Sequence, residues 1–223
     1  MPIRNVLQFF HGEERPFFVD VPDIAKHILS YVSHHSIFYV EHEETEEPVP
    51  LEGMLEQQEI TTGFAQEPTI ADYIHLKKDA LDPQRRVICA KELLHILDPS
   101  TCRTSDPKGL DQLIEDMGSS FDVFTDTSAP SAQDVGNLIL ASSIFISNDM
   151  RQRALEAINA GKLTMEAFAA TLEVPLGVVR VVLREDWPKK LNEQMISLQR
   201  ELDKEGDEEE EKYHREMEEY KTS

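Results

Sequence analysis

Cysteine is nearly absent. Only Cys89 and Cys102 occur in 223 residues, and they form no CxxC pair, so a disulfide framework is excluded and free thiols in a reducing compartment are expected. Long apolar runs are missing too. Nothing approaches the roughly 20 uninterrupted apolar residues of a membrane span, and Met1-Pro2-Ile3-Arg4-Asn5 lacks the apolar stretch of a secretory signal, so a soluble, unexported chain without a membrane partner is expected. Positive charge is scarce: 22 basic residues stand against 43 acidic ones, for a net charge of -21. Such a surface repels the phosphate backbone. The pairs Lys77-Lys78, Arg85-Arg86 and Lys189-Lys190 are each diluted by nearby acids, so no nucleic-acid partner is expected.

Catalytic and cofactor signatures are equally thin. The nine glycines include no Walker-type or GxGxxG loop. The one Gly-Lys pair, Gly161-Lys162, follows a helical pattern and reads as a helix C-cap. No HExxH occurs, and His27, His34, His35 and His42 lack the spacing and the cysteine or carboxylate closure of a zinc site. Neither cysteine has the context of a nucleophile. The sequence therefore predicts no enzyme, no metal and no cofactor.

What is present is a 40% hydrophobic chain, enough for one core or one core with a helical satellite. Val6-Leu7-Gln8-Phe9-Phe10 and Phe17-Phe18-Val19-Asp20-Val21, separated by a break containing Gly12, predict a β-hairpin. Ile24, Ile28, Tyr31 and Val32 predict a helix lying on it, giving a β-β-α opening. Ile37 to Val40 reads as a strand, Pro48 to Leu51 as an extended segment, and 70–81 and 85–97 as helices. Past a connection with one embedded helix at Leu110 to Met117, the second half reads as consecutive helices: one carrying Val135 to Ile144, then 150–159, 164–172, 176–184 and 188–202. The like-charge block Asp207 to Glu211 marks 205–223 as a solvated acidic tail.

Met165 to Val182 has the spacing of a helix-turn-helix, with Glu173 where glycine is common and Val174 at the turn. Its second helix offers Leu176, Gly177, Val178 and Val181 beside only Arg180 and Arg184, a surface better suited to a protein partner or a core than to base edges.

Four segments in order resemble the S-phase-kinase-associated protein family: the opening Leu7-Gln8, Gly12-Glu13, Phe18-Val19-Asp20-Val21 and Ile24-Ala25-Lys26; Pro48-Val49-Pro50-Leu51; Leu138-Ile139-Leu140-Ala141-Ser142-Ser143-Ile144; and Ala160-Gly161-Lys162-Leu163-Thr164. The resemblance implies an α+β fold: a BTB/POZ-like domain over 1–146 with a variable insertion around 56–130, a helical F-box-binding-like extension over 147–204, and the tail 205–223. It implies a non-enzymatic adaptor of the cytoplasm and nucleus, linking a cullin to F-box proteins in a ubiquitin ligase. Ser143 and Ile144 stand at the family's cullin-contact pair. Phe168, Leu172, Val179, Leu183 and Trp187 would line the F-box groove, or, on the bland alternative, close a core. A helix-turn-helix transcription regulator and a structural or viral interaction module are the other classes.

Overall fold

The computed structural model describes residues 2–12, 15–43, 53–60, 69–98, 110–118, 129–197 and 199–200. Pro48 to Leu51, residues 61–68, 99–109 (with Cys102) and 119–128 of the 56–130 insertion, and the tail 205–223 lie outside the described residues.

The chain opens with a helix, not a hairpin. In α1 (Pro2–His11), Ile3, Val6, Leu7 and Phe10 are buried at i, i+3, i+4 and i+7, which is the period of a helix. The aromatic and β-branched content of Val6 to Phe10 suggested a strand, but Ile3 extends the pattern and fixes its period. Residues 17–20 form no strand either, and lead into α2 (Val21–Leu29), where Pro22 sits in the first turn and Ile24, Ala25 and Ile28 face inward.

Three strands follow: β1 (His35–His42), β2 (Gly53–Ile60) and β3 (Thr69–Lys77). β3 is central, parallel to β1 with His35 opposite Ile70, and antiparallel to β2 with Gly53 opposite Leu76. This corrects the helix expected over 70–81. The inward positions of β3 are Asp72, Ile74 and Leu76, so an acid interrupts the apolar alternation. Asp72 is held there by His35 Nδ1 at 2.6 Å and Gln57 Nε2 at 2.5 Å, which replaces the solvent it loses.

The helix α3 (Asp82–His95) lies on β2 and β3, with α2 beside it and α5 (Ala129–Phe145) across it. Val87 to Leu97 are all buried, as is α5 from Gln133 onward, so these two helices form the middle of the molecule. α4 (Leu110–Gly118) packs on α5 and on α8 (Leu176–Val182), and α1 covers α5 from another side.

The remaining helices begin and end on local signals. Ser147 caps α6 (Asn148–Asn159) by accepting from the Met150 N–H. Gly161, at φ 67°, ends α6 as the C-cap glycine the sequence suggested, with Lys162 N–H donating back to Ala157 at 2.8 Å. Thr164 caps α7 (Met165–Leu172). A last helix, α9, covers 187–197.

The expected α+β architecture is present, with a small sheet on one side of a helical body. One apolar core runs from Ile3 through α3 and α5 to Trp187. Arg86 ties its parts together: its guanidinium donates to the carbonyls of Leu172 at 2.9 Å and Val19 at 2.5 Å and lies 4.1 Å over the Phe18 ring. Among the described residues, no helix is long and apolar enough to cross a membrane.

Candidate functional site

The residues singled out for partner binding are interior. Ile144 is fully buried, and Ser143 is buried with its hydroxyl donating to the Leu140 carbonyl at 2.7 Å. The Ser143 carbonyl in turn accepts from His11 Nε2 at 2.9 Å. Neither faces a partner, because α1 covers this part of α5. Leu172, Val179 and Leu183 are core as well. Phe168 and Trp187 are also buried, but each forms part of the floor of a cleft, and the two clefts are different ones. The five thus line no single groove. The helix-turn-helix forms, with Glu173 in the left-handed conformation at its turn (φ 51°), but Val178 and Val181 of its second helix are buried and that helix packs on α4. No base-reading face is offered.

The dense polar chemistry sits between α3 and α5. Lys91, Glu92 and His95 come from α3, Asp98 from the turn after it, and Gln133, Asp134 and Asn137 from α5. All seven are buried. Residues four apart lie on one helical face, so Lys91 and His95 point the same way, towards Asp134. The Asp134 Oδ1 accepts from Lys91 Nζ at 2.5 Å and from His95 Nε2 at 3.1 Å. The other ring nitrogen, Nδ1, is 2.6 Å from Asp98 Oδ2. Asp98 also accepts from Gln133 and Asn137, each at 2.8 Å. The Lys91 ammonium also pairs with Glu92 Oε1 at 2.8 Å. Gly53 of β2 closes over Glu92, and a Cβ there would come within 2.1 Å of Ile88 Cγ2.

Burial pulls the Lys91 ammonium towards neutrality, but the charges of Glu92 and Asp134 outweigh it, and the net shift is upward. For His95 burial acts in the same direction and is overcome by the hydrogen bonds to Asp134 and Asp98, lifting its pKa to about 9. Asp134 is held down at about 2, burial opposing, by His95 and Lys91. At neutral pH an ammonium and an imidazolium therefore face the carboxyl groups.

Lys91-Glu92-Leu93-Leu94-His95 is the HExxH pattern with lysine in the first position, on a helix, and with an acid from a second helix beside the histidine. In that pattern two histidines hold zinc and the glutamate is the base. A protonated amine has three donors and no lone pair, so Lys91 cannot ligate. Among the described residues no group of three or more His, Cys, Asp and Glu is arranged to hold a metal ion. Sequence reading looked for an intact HExxH and passed over this one-residue departure, which was the signal available.

A cleft of about 880 Å³ lies between the 15–17 link and helices α6 and α7. Phe17, 63% exposed, stands on one side, with Met150, Leu163 and Phe168 across from it. Arg15 and Arg153 flank it. Arg153 pairs with Asp149 at 3.0 Å on the exposed rim. Arg15 donates to the Pro16 and Phe145 carbonyls, and its Nη1 is buried without a partner. His11 also lines the cleft, where burial lowers its pKa and leaves the ring neutral at pH 7.

Comparison with family models, with curated proteins and with solved structures yields no match to this chain.

Proposed function

We propose that the chain is a non-enzymatic adaptor that takes an acidic, apolar-anchored segment of a partner protein in the cleft between the 15–17 link and helices α6 and α7. The observation that carries this is the exposed Phe17 ring opposite Phe168, with a guanidinium at either side. Apolar floor plus flanking cations suits a helix or extended segment presenting an aliphatic or aromatic anchor among carboxylates.

Within this reading, the resemblance to the S-phase-kinase-associated proteins makes an F-box segment and a cullin the partners to try first. An F-box-type helix could reach Phe168 from the cleft without opening the core. Ser143, Ile144, Leu172, Val179 and Leu183 are buried and would be reached only if the elements packed over them moved away.

The test is fluorescence anisotropy with labelled helical peptides that share apolar residues and differ in flanking charge, F-box sequences among them. Acidic peptides should bind in the micromolar range. Arg153→Glu or Phe17→Ser should weaken them at least tenfold, a loss of about 1.4 kcal/mol. Equal affinity for acidic and basic peptides, or indifference to both substitutions, would overturn the proposal. Co-purification with a recombinant cullin N-terminal domain tests the narrower form.

A further inference from the structure

We infer that the outer edge of β1 is an interface between two copies of this chain, which pair β1 with β1 antiparallel about a two-fold axis at Phe38 and join their three-stranded sheets into one.

β1 is an outer strand in the order β1-β3-β2 and runs in unbroken register with β3 from His35 to His42. The carbonyls of His34 and His42 accept from the Ile70 and Lys78 N–H groups on the β3 side, at 3.0 and 2.9 Å. Backbone groups alternate sides along a strand, so Ile37, Tyr39 and Glu41 direct theirs away from β3. Among the described residues, no backbone group pairs with them there. Such an edge recruits a further strand unless charge, proline or a bulge blunts it. Glu56 and Glu59 blunt β2, the opposite edge. Ser36 to Val40 carry no charge and no proline, and they present aromatic rings on both faces of the sheet. Phe38, stacked on Tyr73 at 5.3 Å, and Tyr39, on the other face with Ile74, are each 46% exposed. One added strand would cover both.

A second copy of β1 suits that place because β1 is complementary to itself. A two-fold axis perpendicular to a sheet keeps each face on its own side, so only residues of the same face can stand opposite one another. Centred on Phe38, the axis sets Phe38 against its own copy and Ile37 against the second copy's Tyr39, an aromatic and β-branched pair of the kind that stabilises sheets. Ile37 and Tyr39 are also the residues whose backbone groups point outward, so they exchange both hydrogen bonds. Glu41 then faces the second copy's His35 rather than another acid. Moving the axis to Tyr39 would set Ile37 against Glu41 and lose these pairings. Strands of 8 residues form a seam only about 27 Å long. That falls short of the roughly 800 Å² per partner of a standard interface, so micromolar affinity is expected.

The test is sedimentation of the full-length chain from submicromolar to high micromolar concentration, in about 0.5 M salt to screen repulsion between two chains of net charge -21. Wild type should pass from monomer to dimer over that range. Phe38→Lys sets two ammonium groups face to face and should stay monomeric with an unchanged melting temperature. Cross-linking fixes the register, in a Cys102→Ser background where the remaining Cys89 is buried. Phe38→Cys should give a disulfide-linked dimer on mild oxidation, because Cα atoms opposite each other at such a position lie about 4.5 Å apart. Ser36→Cys should not, since this register holds its two copies about 14 Å apart. Wild type that remains monomeric throughout overturns the inference. So does a dimer that survives Phe38→Lys, or one that cross-links equally well through Ser36→Cys. Hydrogen exchange at the Ile37, Tyr39 and Glu41 amides should slow as concentration rises. Protection that is equal at all concentrations would assign the edge to a segment of the same chain, such as 44–52, and would also overturn it.

Discussion

Trp187→Ala separates a core tryptophan from an interface anchor. Trp187 is 2% exposed, opens α9 with its N–H donating to the Arg184 carbonyl, and shares a cleft of about 290 Å³ with Ile146, Leu191 and Met195. A buried tryptophan removes up to about 250 Å² from water, which at roughly 25 cal/mol per Å² corresponds to about 6 kcal/mol. Compact denatured chains already bury part of that area, so the figure is an upper bound, and aromatic-to-alanine changes in cores cost about 3–5 kcal/mol. The neighbouring cleft lets Leu191 and Met195 relax into the vacated space and lets water reach it. The loss should therefore fall near the lower end, about 3 kcal/mol. Trp187 is the sole tryptophan, so the variant has no indole fluorescence and urea unfolding must be followed by far-ultraviolet circular dichroism. A loss under about 1 kcal/mol, the size of an ordinary surface change, would show that the indole does not hold α9 to the core. Coupled with lost peptide binding, it would return Trp187 to the partner surface.

Arg86→Ala should cost about 3 kcal/mol, because two carbonyl acceptors on separate segments lose a charged donor; Arg86→Lys should recover less than half, since an ammonium has no fork to span both. Urea midpoints of the two variants check this, and equal stability of wild type and Arg86→Lys would refute the bridging role. The buried cluster also sets a pH dependence. His95 is raised from 6.5 to about 9, so its contribution is complete below pH 6.5 and is lost as pH rises through 9. Asp134 is lowered from 3.8 to about 2, so its contribution is complete above pH 3.8 and is lost as pH falls through 2. The urea midpoint should be highest between those limits and decline towards pH 9; a midpoint that climbs from pH 6.5 to 9 would refute the cluster's charge assignment.

The helices of the second half were legible because periodicity and caps agree there: Thr164 starts α7, Gly161 ends α6, and buried Phe168, Ala169 and Leu172 fall on one face. The opening was misread because composition was set above period. Phe9 and Phe10 are both aromatic, yet Phe10 is fully buried and Phe9 is half exposed, as adjacent helical positions with buried neighbours at Ile3, Val6 and Leu7 require. β3 was misread for the opposite reason. Its period of two is intact, but an acid occupies an inward position, and only the fold supplies the His35 and Gln57 that make Asp72 acceptable there. β2, an edge strand with Glu56, Gln57, Gln58 and Glu59 in its middle, has too little apolar alternation to register.

Phe168, Leu172, Val179, Leu183 and Trp187 were chosen for being large and apolar on helices, and that property takes a side chain into a core more often than to a surface. The polar cluster was hidden for the complementary reason. Lys91, Glu92 and His95 on one helix, and Gln133, Asp134 and Asn137 on another, each repeat at i, i+1 and i+4, which in isolation is the pattern of a water-facing stripe. Two such stripes facing each other inside the protein give the same sequence pattern and the opposite energetics. A solvated Lys91 would be replaceable by alanine within about 0.5 kcal/mol. A buried one leaves Asp134 and Glu92 without their shared cation, and removing one partner of a buried pair costs about 3–5 kcal/mol. Lys91→Ala should therefore unfold at a much lower urea concentration than wild type, and a near-neutral effect would mean that water, not the ammonium, compensates the carboxylates between α3 and α5.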